Sequence, residues 1–357
     1  MIQNLKMANA LYSNRVKLLT KPVKMTIKDP KPTRMPHKTA NTLLAALISF
    51  SVILIFNLPA SGQEKRKKRP ASPRIQWINQ PKSTQASLPP NAQHLRFHSK
   101  LINQEIGYCI YLPPSYSERK KTYPVIYTLH GNGGNEFTCL DSIALLHRGI
   151  ESGIWPEMIM VLPNGGSSTF YKDSADGQFP IESIFIHEMI PFIDANYRTI
   201  ASREGRCIEG FSMGGRGATR LAMKHPNLFC SLFCQAGNVP RLLDTFDAAS
   251  TEERKTMLLG EKREKWEAED VYAVTQKNVD EIKSKVRIKI ACGTADTGHL
   301  ETIRDFHQHL KQLGIDHTYL EIEQLGHKRT KMMSAFESSW FDYHVESLKR
   351  AQQTLQR

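Results

Sequence analysis

From residue 93 onward the chain alternates between short apolar runs rich in β-branched and aromatic residues and longer amphipathic stretches. EIGYCIYLP, YPVIYTLH, EMIMVLP, RCIEG, LFCQAG, RIKIACG and HTYLEIE read as strands in turn. Between them lie helical patterns. In IESIFIHEMIPFIDANY, for example, Ile181, Phe185, Met189 and Phe192 recur at helical spacing with polar residues between them. Strands that are apolar throughout are buried on both sides, and strands that alternate with amphipathic helices form parallel crossovers. The pattern therefore predicts an α/β domain, residues 93–357, with a mostly parallel central sheet covered by helices on both faces. No internal repeat is visible.

The residues ahead of that domain follow another pattern. Thr39 to Gln63 carries no charge, and its core LLAALISFSVILIF (Leu43 to Phe56) has the length of a signal-peptide apolar region, shorter than the ~20 residues of a membrane span. Ala60 and Gly62 supply the small residues that a signal peptidase reads, which predicts a leader over residues 1–62 and a mature start at Gln63. MPHKTANT, from Met35, is an ordinary short basic opening, so Met35 reads as the translation start. This predicts export to the periplasm, cell surface or medium, with an uncleaved N-terminal anchor as the alternative. Residues 63–92, basic and then rich in Pro, Ser and Gln, read as a solvated linker.

The formal charge of +13 suggests a nucleic-acid partner until its distribution is examined. Met1 to Arg69 holds 14 of the 48 Lys and Arg residues and 2 of the 35 Asp and Glu, which leaves 34 basic against 33 acidic residues in the rest. A near-neutral body removes that argument. Of the six cysteines, Cys109, Cys207 and Cys292 lie inside strand-like runs and read as small buried hydrophobes, which allows at most one disulfide among Cys139, Cys230 and Cys234. The spacings suggest no metal site, and the chemistry below needs no cofactor.

Chemistry enters with RCIEGFSMGGRGATR. A G-x-S-x-G match alone is weak, but here RCI is a strand, GFSMG a turn and MGGRGATRLAMKH a helix, the setting of a nucleophile elbow. Gly210 and Gly214 leave room for a strained backbone with Ser212 at its apex. A serine hydroxyl needs a base and the base a carboxylate. Asp296, just past the strand RIKIACG, and His327, on the loop after the last strand, are the candidates; His299, His307 and His309 read as surface or packing residues.

LPPSY, YPVIYTLHGNGGNE, MVLPNGG, EMIPFIDANYRT, GFSMGGRGA, HPNLF and CGTAD follow one another in an order that resembles the putative-esterase family of α/β-hydrolases, over about Gln104 to His327. That family includes feruloyl and acetyl xylan esterases, S-formylglutathione hydrolase and mycolyltransferases. The resemblance implies an α/β-hydrolase fold and a triad in the chain order Ser212, Asp296, His327, with an oxyanion hole made by the backbone N–H groups of Asn132 and Met213. It also implies that Tyr171 and Asp173 belong to a loop bordering the pocket. Arg216 stands where the family often has a smaller or neutral residue, and it reads either as a charge for an anionic substrate or as a solvated or ion-paired helix residue. The HKRT following Gly326 departs from the family's aromatic-rich tail.

Arg241 to Asp270 is longer than a strand-to-helix connection needs and intersperses Leu242, Phe246 and Trp266 among charges. It reads as a small helical cap with Phe246 and Trp266 facing the acyl group. The expected activity is that of an exported serine carboxylesterase acting on a small-molecule or polysaccharide-linked ester, such as acetyl or feruloyl groups. An acyltransferase and a non-catalytic surface-binding module on the same fold are the alternatives.

Overall fold

Each apolar run of the sequence becomes a strand of one eight-stranded sheet in the computed structural model, which describes residues 75–81, 87–117 and 121–355. The strands are β1 (Ala92–Ser99), β2 (Gln104–Tyr111), β3 (Val125–Leu129), β4 (Ile159–Pro163), β5 (Arg206–Phe211), β6 (Ser231–Gln235), β7 (Arg287–Gly293) and β8 (His317–Ile322). Their spatial order is β1-β2-β4-β3-β5-β6-β7-β8. β2 runs antiparallel to its neighbours β1 and β4, and every pair from β4 through β8 is parallel. β3, β4 and β5 are buried at every position, as strands covered on both faces must be. The one acid in these three strands, Glu209, accepts hydrogen bonds from Thr128 Oγ1 (3.0 Å) and Gln235 Nε2 (3.1 Å).

β1 is the strand that the apolar pattern does not announce. It is an edge strand whose burial is concentrated at Phe97 and Ser99, so its sequence AQHLRFHS stays half polar.

The helices are α1 (Leu140–Glu151), α2, α3 (Met213–Lys224), α4 (Leu242–Ala248), α5 (Thr251–Thr256), α6 (Arg263–Glu269), α7 (Val271–Lys277), α8 (Val279–Lys285), α9 (Leu300–Gln312), α10 (Arg329–Phe336) and α11 (Asp342–Leu355). α2 runs through Ile181–Ser183, a π-type turn at Ile184–Met189 and Ile190–Asn196. Pro191 offers no N–H to the preceding turn, and the Ile190 N–H reaches back five residues to Phe185 O, which widens the helix there. Of the predicted face, Ile181, Phe185 and Met189 are buried and Phe192 is half-buried.

The connection from β3 through α1 to β4 moves one way across the sheet, and that from β4 through α2 to β5 moves back past β3. Right-handed crossovers in opposite directions place their helices on opposite faces and open a crevice at the carboxyl ends of β3 and β5.

One expectation changes. Part of the predicted solvated linker is docked: Ile75 and Trp77 pack against the core, Gly107 N–H donates to Trp77 O (2.7 Å), and Asn79 donates twice to the fully buried Glu136 (2.8 Å each). A buried carboxylate needs donors, and this segment supplies them. The leader, Met35 and Gln63 fall outside the described residues. Among the described residues no helix is long and apolar enough to cross a membrane, and all six cysteines are buried free thiols.

Arg220, fully buried on α3, ties the elements around the crevice together. It pairs with Glu182 of α2 and with Glu269 of α6 (2.5 Å), and donates to the Tyr171 carbonyl; Lys224 and His225 add bonds to Glu182 (3.1 and 2.7 Å). Burial alone would raise the Glu182 carboxyl, but Arg220, His225 and Lys224 hold it well below the usual carboxylate range. A lowered carboxylate pKa stabilises the fold above its ordinary value, and the gain is lost as pH falls. Glu182→Gln is therefore expected to cost about 3 kcal/mol near neutral pH. In thermal denaturation, the gap to the parent should narrow below about pH 4; a gap independent of pH would contradict this account.

Candidate active site

Ser212 lies between β5 and α3 with φ 58° and ψ −122°, a left-handed conformation that costs of order 1–3 kcal/mol for a non-glycine residue. Close packing on either side holds it there. A Cβ on Gly210 would lie 2.4 Å from the Gly214 carbonyl carbon, and one on Gly214 would lie 2.1 Å from Leu129 O. The two glycines thus let the turn fold tightly enough to lift Ser212 out of the sheet, and its own N–H is tied to Gln235 O (2.9 Å).

Two loops are zipped together beyond the ends of β7 and β8: Thr294 N–H donates to Ile322 O (2.9 Å) and Ala295 N–H to Leu325 O (3.0 Å). That pairing brings Asp296 against His327. His327 Nδ1 lies 2.6 Å from Asp296 Oδ2, and His327 Nε2 lies 2.9 Å from Ser212 Oγ. Asp296 is 3% exposed, and Phe211 packs its ring 4.6 Å from that of His327.

His299 corrects the sequence reading. Far from being a surface or packing residue, it places Nδ1 2.8 Å from Asp296 Oδ1 and stacks on His327 with ring centroids 4.0 Å apart and planes 4° from parallel. Its position three residues beyond Asp296, at the start of α9, is the signal that could have found it, since a short turn brings such residues together. Asp296, His299 and His327 form a group with three metal-type ligand atoms within 4.8 Å. Both Nδ1 atoms are committed to Asp296 and the rings lie face to face, so the two imidazoles are poorly placed to share an in-plane ion.

The oxyanion candidates are also near. Gly131, the residue before Asn132, is close enough to Ser212 that a Cβ on it would lie 3.5 Å from the serine Cβ. The Asn132 N–H makes no bond to a described backbone group, and that of Met213, first in α3, has no intrahelical acceptor. Ser168 Oγ donates to Asn132 Oδ1 (2.7 Å). His130, fully buried, bonds Gly131 O through Nδ1 (2.9 Å) and accepts the Gly165 N–H at Nε2 (3.1 Å). Burial pushes its pKa down to about 4, against the opposing Gly131 bond, so at neutral pH it is an uncharged brace for this loop.

Tyr171 lies deeper than a pocket-lining residue. It is 1% exposed, its ring fills the space that side chains at Gly165 and Gly217 would take, and its hydroxyl donates to His130 O (3.2 Å). Asp173 accepts from the Ser183 N–H (3.0 Å) and Oγ (2.5 Å) at the head of α2. Both therefore anchor the loop. Arg216, one turn into α3, stacks on Phe170 at 4.6 Å. In the HKRT segment, Arg329 binds Asp141 and Ser142 of α1, which fixes α10 to the domain.

Phe246 and Trp266 are the second correction. They pack on each other, with ring centroids 5.5 Å apart, inside a small cluster with Leu242 and Leu259. Arg254 covers Phe246 at 3.9 Å, and Trp266 Nε1 donates to Gly260 O (2.7 Å). Three short helices, α4 to α6, have few large apolar side chains with which to build a core, and both aromatics are spent on it. The insertion docks on the loop after Tyr171: Ala175 N–H donates to Leu258 O (2.8 Å) and Lys265 Nζ to Ala175 O (2.9 Å).

A ferulic acid esterase of known structure superposes with a TM-score of 0.60 at 24% identity, covering 74% of this chain and all of that one. An esterase of Mycobacterium tuberculosis is 34% identical over 152 residues, 42% of this chain and 32% of its own length. An acetyl esterase of Caldicellulosiruptor saccharolyticus is 25% identical over 249 residues, 64% of this chain and 89% of that protein. The chain thus spans about a third of the mycobacterial relative. The eight-stranded α/β-hydrolase architecture agrees with these likenesses, and the model of the family described as "Putative esterase" matches residues 99–336, so the chain belongs to that family.

Proposed function

We propose that this protein is an exported serine carboxylesterase. The observation that carries the reading is the continuous chain from Ser212 Oγ through His327 to the buried Asp296 carboxylate. With Nδ1–H donated to Asp296, His327 keeps the Nε2 lone pair toward the serine. Ser212 Oγ attacks the ester carbonyl as Nε2 takes its proton. The resulting oxyanion lies toward the N–H groups of Asn132 and Met213, and His327 then returns the proton to the leaving alcohol. Water, deprotonated by the same nitrogen, releases the acid and restores Ser212. The family, with acetyl and feruloyl esterases among the relatives, supports a carboxylic ester as substrate, and an acetyl or feruloyl group on polysaccharide fits an exported enzyme. Export rests on the apolar stretch Leu43 to Phe56.

A fluorophosphonate probe should label Ser212, and aryl acetates should be hydrolysed. A protein that takes no label and turns over no ester is not a serine esterase.

His299 is a positioning residue in this scheme, because it holds the second oxygen of Asp296. His299→Ala is expected to lower kcat about 10-fold with KM little changed, the cost of one charge-assisted hydrogen bond. His299→Asn, which keeps an N–H for Oδ1, should recover most of the loss. Equal rates for His299→Ala and the parent would show that Asp296 needs no second donor.

A further inference from the structure

Two cations, Arg216 on α3 and Lys172 on the loop after Phe170, have no ion-paired acid among the described residues. Lys172 is 3% exposed, and among the described residues its ammonium makes no hydrogen bond or ion pair. Arg216 follows Ser212 by one helical turn, its N–H bonded to Ser212 O (2.9 Å), which puts the two residues on the same face at the start of α3. The Phe170 ring supports one side of the guanidinium, and among the described residues no carboxylate makes a hydrogen bond or ion pair with it, although Asp270 lies near enough to act on its charge.

The neighbouring acids are already committed. Glu269 binds Arg220 and Lys224, while Asp270 accepts the N–H groups of Leu242 (2.5 Å), Leu243 (3.2 Å) and Ala273 (2.9 Å). A buried ammonium with no acceptor is expensive unless an anion arrives or the proton leaves. Burial, then repulsion from Arg216 and Arg220, lowers the Lys172 pKa against the opposing pull of Glu269 and Asp270. Burial and Arg220 also lower that of Arg216, to about 10, and at neutral pH it stays charged.

We propose that Arg216 and Lys172 form an anion-binding subsite, and that the substrate is an ester carrying a carboxylate or comparable anionic group near the scissile bond. The inference rests on the reading of Ser212 as nucleophile and narrows its substrate class. Arg216 supplies a planar fork suited to a carboxylate, and Lys172 a second charge from the loop that packs along α3.

Matched esters test it: p-nitrophenyl hemisuccinate against p-nitrophenyl butyrate for an anionic acyl group, and 4-carboxyphenyl acetate against phenyl acetate for an anionic alcohol. In one of the two series the parent should prefer the anionic member by at least about 10-fold in kcat/KM, and less so at high salt. In Arg216→Gln the anionic-to-neutral ratio should fall about 10- to 100-fold, and Arg216→Lys should keep part of it. Lys172→Met should lower the same ratio; because it alters a buried residue, Arg216→Gln, on a half-buried side chain, carries the test if that variant does not fold. A parent that hydrolyses the neutral esters with no anionic preference in either series, or an Arg216→Gln ratio equal to the parent's, overturns the subsite and leaves the esterase reading intact. If no ester is hydrolysed and Ser212 takes no label, the esterase reading has failed. Succinate then decides the subsite alone: it should raise the melting temperature of the parent and not of Arg216→Gln, and an equal response of the two overturns it.

Discussion

Ser212→Ala is expected to lower kcat by roughly six orders of magnitude while leaving the fold intact, because members of a triad act as a unit and what remains is the contribution of binding and the oxyanion donors. The structure gives a reason to expect intact folding. Ser212 is held by its backbone, through Gln235 O and the close approach of Gly210 to Gly214, and among the described residues its hydroxyl bonds only His327. Alanine at φ 58° meets the same strain as serine, so the melting temperature should move little. Steady-state rates on an aryl acetate, with thermal denaturation alongside, read both. A variant that keeps most of its activity would remove Ser212 from the mechanism.

Asp296→Asn is expected to cost about 10⁴-fold in kcat. Asp296 meets one imidazole at each oxygen, His327 at Oδ2 and His299 at Oδ1, and the Cys292 thiol adds a long contact to Oδ2 (4.0 Å). An asparagine has a single acceptor oxygen, so one of the two imidazoles must face an amide N–H and carry its own proton on the other nitrogen. If that imidazole is His327, the proton moves to Nε2 and the lone pair that Ser212 needs is lost. The stacked His299 raises the stake, since it competes for the remaining oxygen at 4.0 Å between ring centroids. Asp296→Asn combined with His299→Ala leaves that oxygen to His327 and should therefore be more active than Asp296→Asn alone. An unchanged rate in Asp296→Asn would assign the carboxylate role elsewhere.

Local chemistry made much of the site legible before any coordinates. A strand, a glycine-flanked serine and a small-residue helix in succession leave few conformations for Ser212, because only a tight turn connects them without clash. Asp296 and His327 were accessible for a similar reason: each lies just past a strand end, and parallel sheets gather such loops at one edge. His299 escaped because its role depends on ring orientation in the turn after Asp296, which spacing suggests and does not determine. Tyr171, Phe246 and Trp266 were misplaced for a shared reason. A large aromatic beside a pocket and a large aromatic inside a small core look alike in sequence, and burial against partners distant in the chain separates them.

The alternation of apolar runs with amphipathic helices determined the sheet and its mostly parallel sense, since backbone hydrogen bonding and the burial of apolar side chains are local demands repeated along the chain. The half-polar edge strand β1 lay beyond that pattern, because an edge buries too few side chains to mark it. What only the tertiary structure decided was which charges find partners. Arg220, Arg216 and Lys172 are all cationic side chains in the sequence, yet Arg220 meets Glu182 and Glu269 across the fold while, among the described residues, the other two have no ion-paired carboxylate. Ion pairing is settled over a few ångströms between residues tens of positions apart, and no local pattern in the chain encodes that distance.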